Sequence, residues 1–410
     1  MTATTDLASR YRAHLGRGRG RLAAMLGGLV EDSAQGCTVR TTSGRELLNC
    51  GGYGVFFVGA SHPVVVAAVE RQVRRLPLST RVLVEPAAAD AAEALASVTP
   101  PGLTRMYFAG SGTEAVECAA KLACAAGRHR FVAMTNGYHG KTLGSLAFTA
   151  NDLYRSPFRP LLHDVRDVPF GDLAALDAAV GAVGSDACVV VEPVQSEAGV
   201  VIPPPGYLAA LGRLCRERDV LLVADEVMTG LGRTGSWWAG DAEQLRPDIL
   251  LVGKSLSGGV VPVSATVATE RAFAPFDDDP YLHTSTFSGA PLAMAAVAAT
   301  IEVIRDEGLV ARAAEVGRTV VTAFRDTAEH LGAGLVRQVR GAGLLIGVEF
   351  VNAGQAGEFF LQLLDHGVVA NHSLNQQEVI RFTPPAIITD AEVERLAHAF
   401  EASCRATRGL

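Results

Sequence analysis

The chain has 410 residues, of which 49% are hydrophobic and 19% charged, and a formal net charge of −7. That length supports a large core and more than one domain, and the composition excludes a disordered chain. The acidic balance gives no footing for nucleic acid, and no apolar run reaches the ~18 residues that a membrane helix requires.

Residues 1–45 are polar and basic, with Arg10, Arg12, Arg17, Arg19 and Arg21 interleaved with glycine. The segment lacks the apolar core of a secretory signal. An organelle transit peptide would share its composition, and a solvated arm is the plainer reading. Ser43-Gly44 marks a hairpin turn entering a strand, and Gly51-Gly52-Tyr53-Gly54 breaks the pattern that follows. Residues 64–75 have helical spacing with Pro63 suited to the first turn, and 87–98 form an alanine-rich helix closed by Pro100-Pro101.

Strand and helix then alternate: strand 105–109, helix 114–126, strand 130–135, helix 172–183, strand 188–194, helix 206–218, then strands 220–224 and 249–252. Such alternation predicts a mostly parallel, doubly wound sheet with helices on both faces. Residues 261–269 suit an antiparallel strand. A long helix, 291–304, carries the chain out of this unit, and the remainder reads as α+β: a helix, a strand at 341–351, a helix near 356–366, VIRFTPP at 379–385 and a final helix from Asp390. The expected division is therefore an N-terminal segment (1–60) packing with the small domain, a large domain (61–304) and a small C-terminal α+β domain (305–410).

The cysteines stand at 37, 50, 118, 124, 188, 215 and 404, an odd number with no C-x-x-C pair. Reduced thiols in a cytoplasmic protein account for them most simply.

Two strand ends carry the chemistry. The run 220–224 ends on Asp225, and 249–252 ends on Gly253 and Lys254. Ligands of open α/β sheets bind beyond the carboxyl ends of the strands, so the acid and the amine are candidates for one site. Pyridoxal phosphate calls for such a pair, since a lysine holds its aldehyde as an imine and an acid pairs with its pyridinium nitrogen. Singly, each residue has a plainer reading, a helix cap for Asp225 and a solvated side chain for Lys254. The clustered glycines and serines after each lift the pair above it: Gly230, Gly232 and Gly235 follow the acid, and Ser255, Ser257, Gly258 and Gly259 follow the lysine.

With ADEVMTGLGRTG around Asp225 and LLVGKSLSGG around Lys254, the chain resembles the class III aminotransferases of pyridoxal-phosphate fold type I, over most of its length from about Gly44. The resemblance implies that Lys254 forms the Schiff base and acts as general base, and that Asp225 keeps the pyridine nitrogen protonated. Ser111-Gly112-Thr113 also has capping-box form with Glu114, a helix start suited to phosphate; GSGTEAVE matches the family's phosphate turn. Tyr138, followed by His139 and Gly140, stands where the family stacks an aromatic ring on the cofactor, and Val227 would press on the opposite face. Glu192 and Glu197 in VEPVQSEAGV have no His or Cys at ligand spacing, so no metal is expected. The resemblance makes Glu192 an orienting group at the cofactor and Glu197 a switch that pairs with an arginine when no substrate carboxylate is present.

In HTSTFSGAP, Thr286 matches a hydroxyl that reaches the phosphate of the neighbouring subunit's cofactor, which implies a homodimer with sites at the interface. Arg381 in VIRFTPP matches the arginine that binds an α-carboxylate through its bidentate fork. Lys141 stands where some relatives carry a second carboxylate-binding cation, and Tyr53 where the substrate pocket is shaped. The chain departs from the common pattern at Ser196, Thr284, Ser288 and Ala290. It departs also at Met228, which cannot supply the hydrogen bond that a glutamine gives the cofactor's phenolic oxygen in many relatives.

FDDDPYLHTSTF, YHGKTLGSLAFTA and HSLNQQEVIRFTPP look most like putrescine (diamine) aminotransferases. The function implied is transfer of an amino group from a terminal amine, a diamine or ω-amino acid, to an oxo acid such as 2-oxoglutarate. An epimerase or aminomutase of the same fold is the alternative, and a non-catalytic cofactor-binding protein a second one, against which the presence of Lys254, Asp225 and Arg381 together argues.

Overall fold

The structure is a computed structural model that describes residues 3–331 and 334–408. Its central sheet has seven strands in the order Arg105–Ala109, Ser264–Ala268, Ile249–Val252, Leu221–Asp225, Ala187–Val191, Arg130–Met134 and Val165–Val168. Ser264–Ala268 runs antiparallel to both its neighbours, and the pairs beyond it are parallel, so the sheet is mixed.

Alternate residues of these strands go to opposite cores. Ala133, Val190, Val223 and Leu251 pack on the face covered by helix Gly112–Ala125. Val132, Val191, Ala224 and Leu250 join the larger core on the other face, with helix Pro291–Asp306. Both faces are therefore dry, which is why the central strands read as unbroken apolar runs rather than as alternating ones. The same arrangement puts Asp225 and the residues just after Ala187–Val191, Arg130–Met134 and Ile249–Val252 at one carboxyl edge.

Two smaller sheets complete the architecture. Glu31–Gln35, Thr38–Thr41 and Glu46–Asn49 form an antiparallel meander, to which Val368–Val369 adds in parallel, so the N-terminal strands are tied to the last part of the chain. Val336–Ala342, Leu345–Phe350, Val379–Phe382 and Asn371–His372 form the other sheet, covered by helices Leu309–Leu331, Ala353–Asp365 and Asp390–Arg408. The fully buried rings of Phe324 and Phe400, stacked with centroids 3.8 Å apart, hold these helices together.

The structure corrects the sequence reading in places. Residues 341–351 are not one strand: Gly343, at φ 52°, turns the chain between Val336–Ala342 and Leu345–Phe350. The arginines of the basic arm are exposed, but the arm is helical, with helices Ala3–Arg10 and Arg17–Met25. Strands Glu31–Gln35 and Val165–Val168 are edge strands whose mostly exposed residues carry no apolar period to announce them. Among the described residues, no helix is long and apolar enough to cross a membrane.

Candidate active site

A cavity of about 290 Å³ lies at the carboxyl edge of the central sheet. Gly112, Thr113, Tyr138, His139, Lys141, Glu192, Asp225, Val227 and Lys254 line it, together with Gly140, Ser196 and Met228. The acid and the amine singled out by the sequence thus share one pocket, delivered by the adjacent parallel strands Leu221–Asp225 and Ile249–Val252. A larger hollow of about 840 Å³, bordered by Lys121, His163 and Leu282, contains none of the candidate site residues.

Asp225 is held from two sides. Its Oδ2 accepts a hydrogen bond from His139 Nδ1 at 2.7 Å, and its Oδ1 accepts one from the Val227 N–H at 3.0 Å. His139 is fully enclosed; burial lowers its pKa, but the bond to Asp225 and that carboxylate's charge outweigh it, and the net direction is upward. Glu192 accepts from the N–H groups of Tyr138 (2.9 Å) and Ser196 (3.3 Å). Burial, the dominant cause, pushes its pKa up to about 7.

Lys254 faces the cavity and is partly exposed to it. Enclosure by protein lowers its pKa, and the carboxylates of Glu197 and Asp225 offset part of that effect. Its backbone sits at φ 43°, in the left-handed region that L residues adopt at a cost, a strain that clusters at functional sites.

The Ser111-Gly112-Thr113 turn is a true helix start. Ser111 is the N-cap of Gly112–Ala125, and the Glu114 carboxylate accepts from Ser111 Oγ (2.9 Å) and from the Gly110 N–H (3.0 Å). The Ser111 hydroxyl is thereby turned to Glu114, while the N–H groups of Gly112 and Thr113 have no intrahelical carbonyl to pair with. A Cβ on Gly112 would come within 2.9 Å of a Val227 methyl, so glycine lets the helix start approach the residue that would cover one ring face. The Thr113 hydroxyl meets those of Ser145 (2.5 Å) and Thr142 (2.8 Å).

Behind Ser196 lies an ion pair. Arg381 Nη1 stands 2.8 Å from Glu197 Oε1 and 3.2 Å from Ser196 Oγ, with both charged side chains almost fully buried. Arg381 Nε and Nη2 are buried without a partner. Tyr53, at φ 52° and 52% exposed, stands in the loop whose Gly54 leaves room for Met228: a Cβ on Gly54 would lie 2.6 Å from the Met228 sulfur. Lys141 sits 3.7 Å from the ring centre of Tyr154 and 5.8 Å from that of Tyr138. Thr286 is not brought to this cavity; it is exposed on the surface, its carbonyl accepting from Arg81 at 3.3 Å. Among the described residues, no three His, Cys, Asp or Glu side chains converge as metal ligands.

The residues fit pyridoxal phosphate. An oriented buried carboxylate, an amine of lowered pKa and a helix N-terminus border one cavity, with His139 Nε2 buried there unpartnered. Sequence reasoning missed Leu374 and Asn375, whose N–H groups reach Glu197, and Tyr154, whose hydroxyl donates to the Leu374 carbonyl; no local pattern announces these contacts.

The model of the family described as aminotransferase class-III matches residues 24–403. A crystal structure of the ornithine aminotransferase from Toxoplasma gondii ME49 is similar at 29% identity over 100% of this chain and 96% of its own, with a TM-score of 0.92. A second structure of the T. gondii ornithine aminotransferase, with pyridoxal phosphate at partial occupancy in its active site, is 30% identical over 100% of this chain and 99% of its own, at a TM-score of 0.88. A thermostable omega transaminase variant, engineered for asymmetric synthesis of bulky amines, is 25% identical over 95% of this chain and 96% of its own, at a TM-score of 0.87.

Proposed function

The chain belongs to the class III aminotransferases, and from that premise we propose that it moves an amino group from a terminal amine, a diamine or an ω-amino acid, to an oxo acid such as 2-oxoglutarate. It is a transaminase, and its family uses pyridoxal 5′-phosphate. When bound, that group supplies an aldehyde for the amine and a ring that draws electrons from the neighbouring C–H bond. Lys254 Nζ would be its covalent anchor and then the base that takes the proton from the amine-bearing carbon. Burial favours the neutral form of that amine, the form able to do both. Asp225, oriented by His139 and the Val227 N–H, presents charge to the pyridine nitrogen. The N–H groups of Gly112 and Thr113 would receive the phosphate, and Tyr138 and Val227 would enclose the ring.

The observation that carries the donor class is the state of Arg381. Glu197 neutralises its Nη1, so a donor without an α-carboxylate leaves no buried charge alone. Its Nε and Nη2 remain unused, a half-fork able to receive the carboxylate of an oxo acid once Glu197 withdraws. The diamine-like stretches around Lys141 and His283 support the same class, as do ornithine and omega transaminases among the similar structures. Lys141, at the pocket mouth, is suited to the remote carboxylate of a diacid. The site belongs to a homodimer in this reading. Thr286 would reach the partner's cofactor, and the exposed apolar side chains Val82, Leu83, Val84, Tyr281 and Phe287 are suited to lie between subunits.

A panel of diamines, ω-amino acids and α-amino acids, assayed with 2-oxoglutarate and with pyruvate, tests the proposal. Turnover should be greatest with terminal amines and should consume the oxo acid one for one. Preference for α-amino acids would reject the donor class. Conversion with no oxo acid consumed would point to an epimerase or aminomutase.

A further inference from the structure

Glu197 is held by more than Arg381. Its Oε1 meets Arg381, but its Oε2 accepts the Leu374 N–H at 2.9 Å, and its carbonyl accepts the Asn375 N–H at 3.0 Å. Leu374 and Asn375 lie in the loop joining Asn371–His372 to Val379–Phe382, the strand that carries Arg381. The base of the loop is closed by the Ser373 N–H donating to the Val379 carbonyl at 3.0 Å. The loop thus straps the carboxylate and the guanidinium into one frame.

The strap is itself anchored on the large sheet's side of the site. The Tyr154 hydroxyl donates to the Leu374 carbonyl at 2.9 Å, so both polar groups of Leu374 are engaged, one with Tyr154 and one with Glu197. Asn375 adds a second anchor, its Nδ2 donating to the Asn136 carbonyl (2.8 Å) and its Oδ1 accepting from Asn151 (3.1 Å).

We propose that Tyr154 is a positioning residue for specificity: by fixing Leu374, its hydroxyl latches Glu197 onto Arg381 and biases the pocket toward donors that lack an α-carboxylate. The inference rests on the reading that Glu197 yields Arg381 to the oxo acid. For that to happen, the carboxylate must give up the Leu374 N–H as well as Arg381. A rigid strap makes the departure harder, because the stranded N–H is fixed where only Glu197 can satisfy it. A loosened strap lets that N–H find water, and the departure becomes easier.

Tyr154→Phe in the holoenzyme isolates the hydroxyl, since the ring under the Lys141 ammonium is kept. A single uncharged hydrogen bond governs the effect, so KM for 2-oxoglutarate should fall about three- to tenfold, with the single-turnover rate of the putrescine half-reaction unchanged. L-Alanine should gain as a donor, relative to putrescine, by a similar factor. Asn375→Ala should move both quantities in the same direction. A purely structural role would instead raise KM and lower kcat together. If Glu197→Ala lowers KM for the oxo acid while Tyr154→Phe leaves KM and donor order unchanged, or damages both substrates alike, the latch is refuted and the switch stands. If Glu197→Ala itself changes neither, the switch is refuted and the latch falls with it.

Discussion

His139 and Asp225 meet end to end, Nδ1 to Oδ2 at 2.7 Å, with the imidazole wholly buried and the carboxylate nearly so. Because a carboxylate only accepts, the proton of this bond sits on Nδ1. With the Val227 N–H on the other oxygen, the carboxylate cannot rotate freely, and its remaining lone pairs are directed by the protein before any ligand arrives. We expect His139→Gln to weaken retention of pyridoxal phosphate, measured by dialysis and absorbance. Unchanged retention would show that the Val227 N–H alone suffices to orient Asp225.

The same pair makes a pH signature in the apoprotein. The folded-state pKa of His139 is raised above its ordinary value near 6.5, with Asp225 overcoming the effect of burial. A base with a raised pKa contributes stability that is complete below about 6.5 and is lost as pH climbs through the raised value. Denaturant unfolding of the apoprotein above pH 6.5 should therefore show a downward slope that His139→Gln reduces. Parallel slopes for the two proteins would mean that another group titrates there.

Glu192 acts in a lower window. Burial lifts its pKa from 4.5 to about 7, so the folded state holds its proton more tightly than the unfolded state. Stability must then fall as pH rises from about 4.5 to about 7 and level off beyond. Glu226, also lifted to about 7 chiefly by burial, contributes a similar share. Glu192→Gln keeps an acceptor for the Tyr138 or Ser196 N–H and should reduce the slope. An unaltered slope would place the proton elsewhere.

The strands that build this site were legible because they are covered on both faces. Ile249–Val252 matches its sequence reading to the residue, since four apolar side chains stand between Asp248 and Gly253. The helix at Gly112–Ala125 was announced by Ser111 and Glu114, which do meet. Elements defined by distant partners were not legible. Val336–Ala342 exposes Arg337 and Gln338 and buries only Val339, and its pairing to Leu345–Phe350 depends on a turn at Gly343 whose space is set by another helix: a Cβ on Gly317 would collide with the Gly343 carbonyl. The Leu374 N–H reaches Glu197 across 177 positions of sequence. A backbone donor leaves no trace in residue type, so no pattern could have indicated it.

Lys254 is expected to carry the cofactor. It borders the cavity with Asp225, and its lowered pKa favours the nucleophilic amine. Borohydride reduction of the holoenzyme followed by peptide mapping should place the label on Lys254, and Lys254→Ala should leave no reducible adduct and no turnover. Label on Lys141, the other lysine lining the cavity, would overturn the assignment.

Thr286 tests the dimer. Its side chain is exposed and away from its own chain's cavity, so any contact with cofactor has to be made to a partner. Thr286→Ala should lower cofactor affinity about ten- to a hundredfold, the worth of one hydrogen bond to a charged group, without changing the Lys254 adduct. A monomer on sizing that retains cofactor and activity would rule the arrangement out.

The last prediction separates the two half-reactions. In the proposed reading, Arg381 stays paired with Glu197 in the amine half and meets no substrate carboxylate, and in the oxo-acid half it binds one. Arg381→Ala should therefore slow the oxo-acid half far more than the amine half. Truncating a charged partner buried in such a contact typically costs about 2–5 kcal/mol, which is a factor of thirty or more in the affected half. The substitution has a second consequence. Glu197 is left buried with the Leu374 N–H but without its guanidinium partner, and the fold should lose about 3–5 kcal/mol of stability. Single-turnover rates must accordingly be compared below the variant's unfolding transition, where the folded population is complete. Arg381→Lys, which restores a charge but not the fork, should recover stability before it recovers the oxo-acid half. Equal slowing of both halves in Arg381→Ala would mean that the arginine shapes the pocket rather than reading the acceptor.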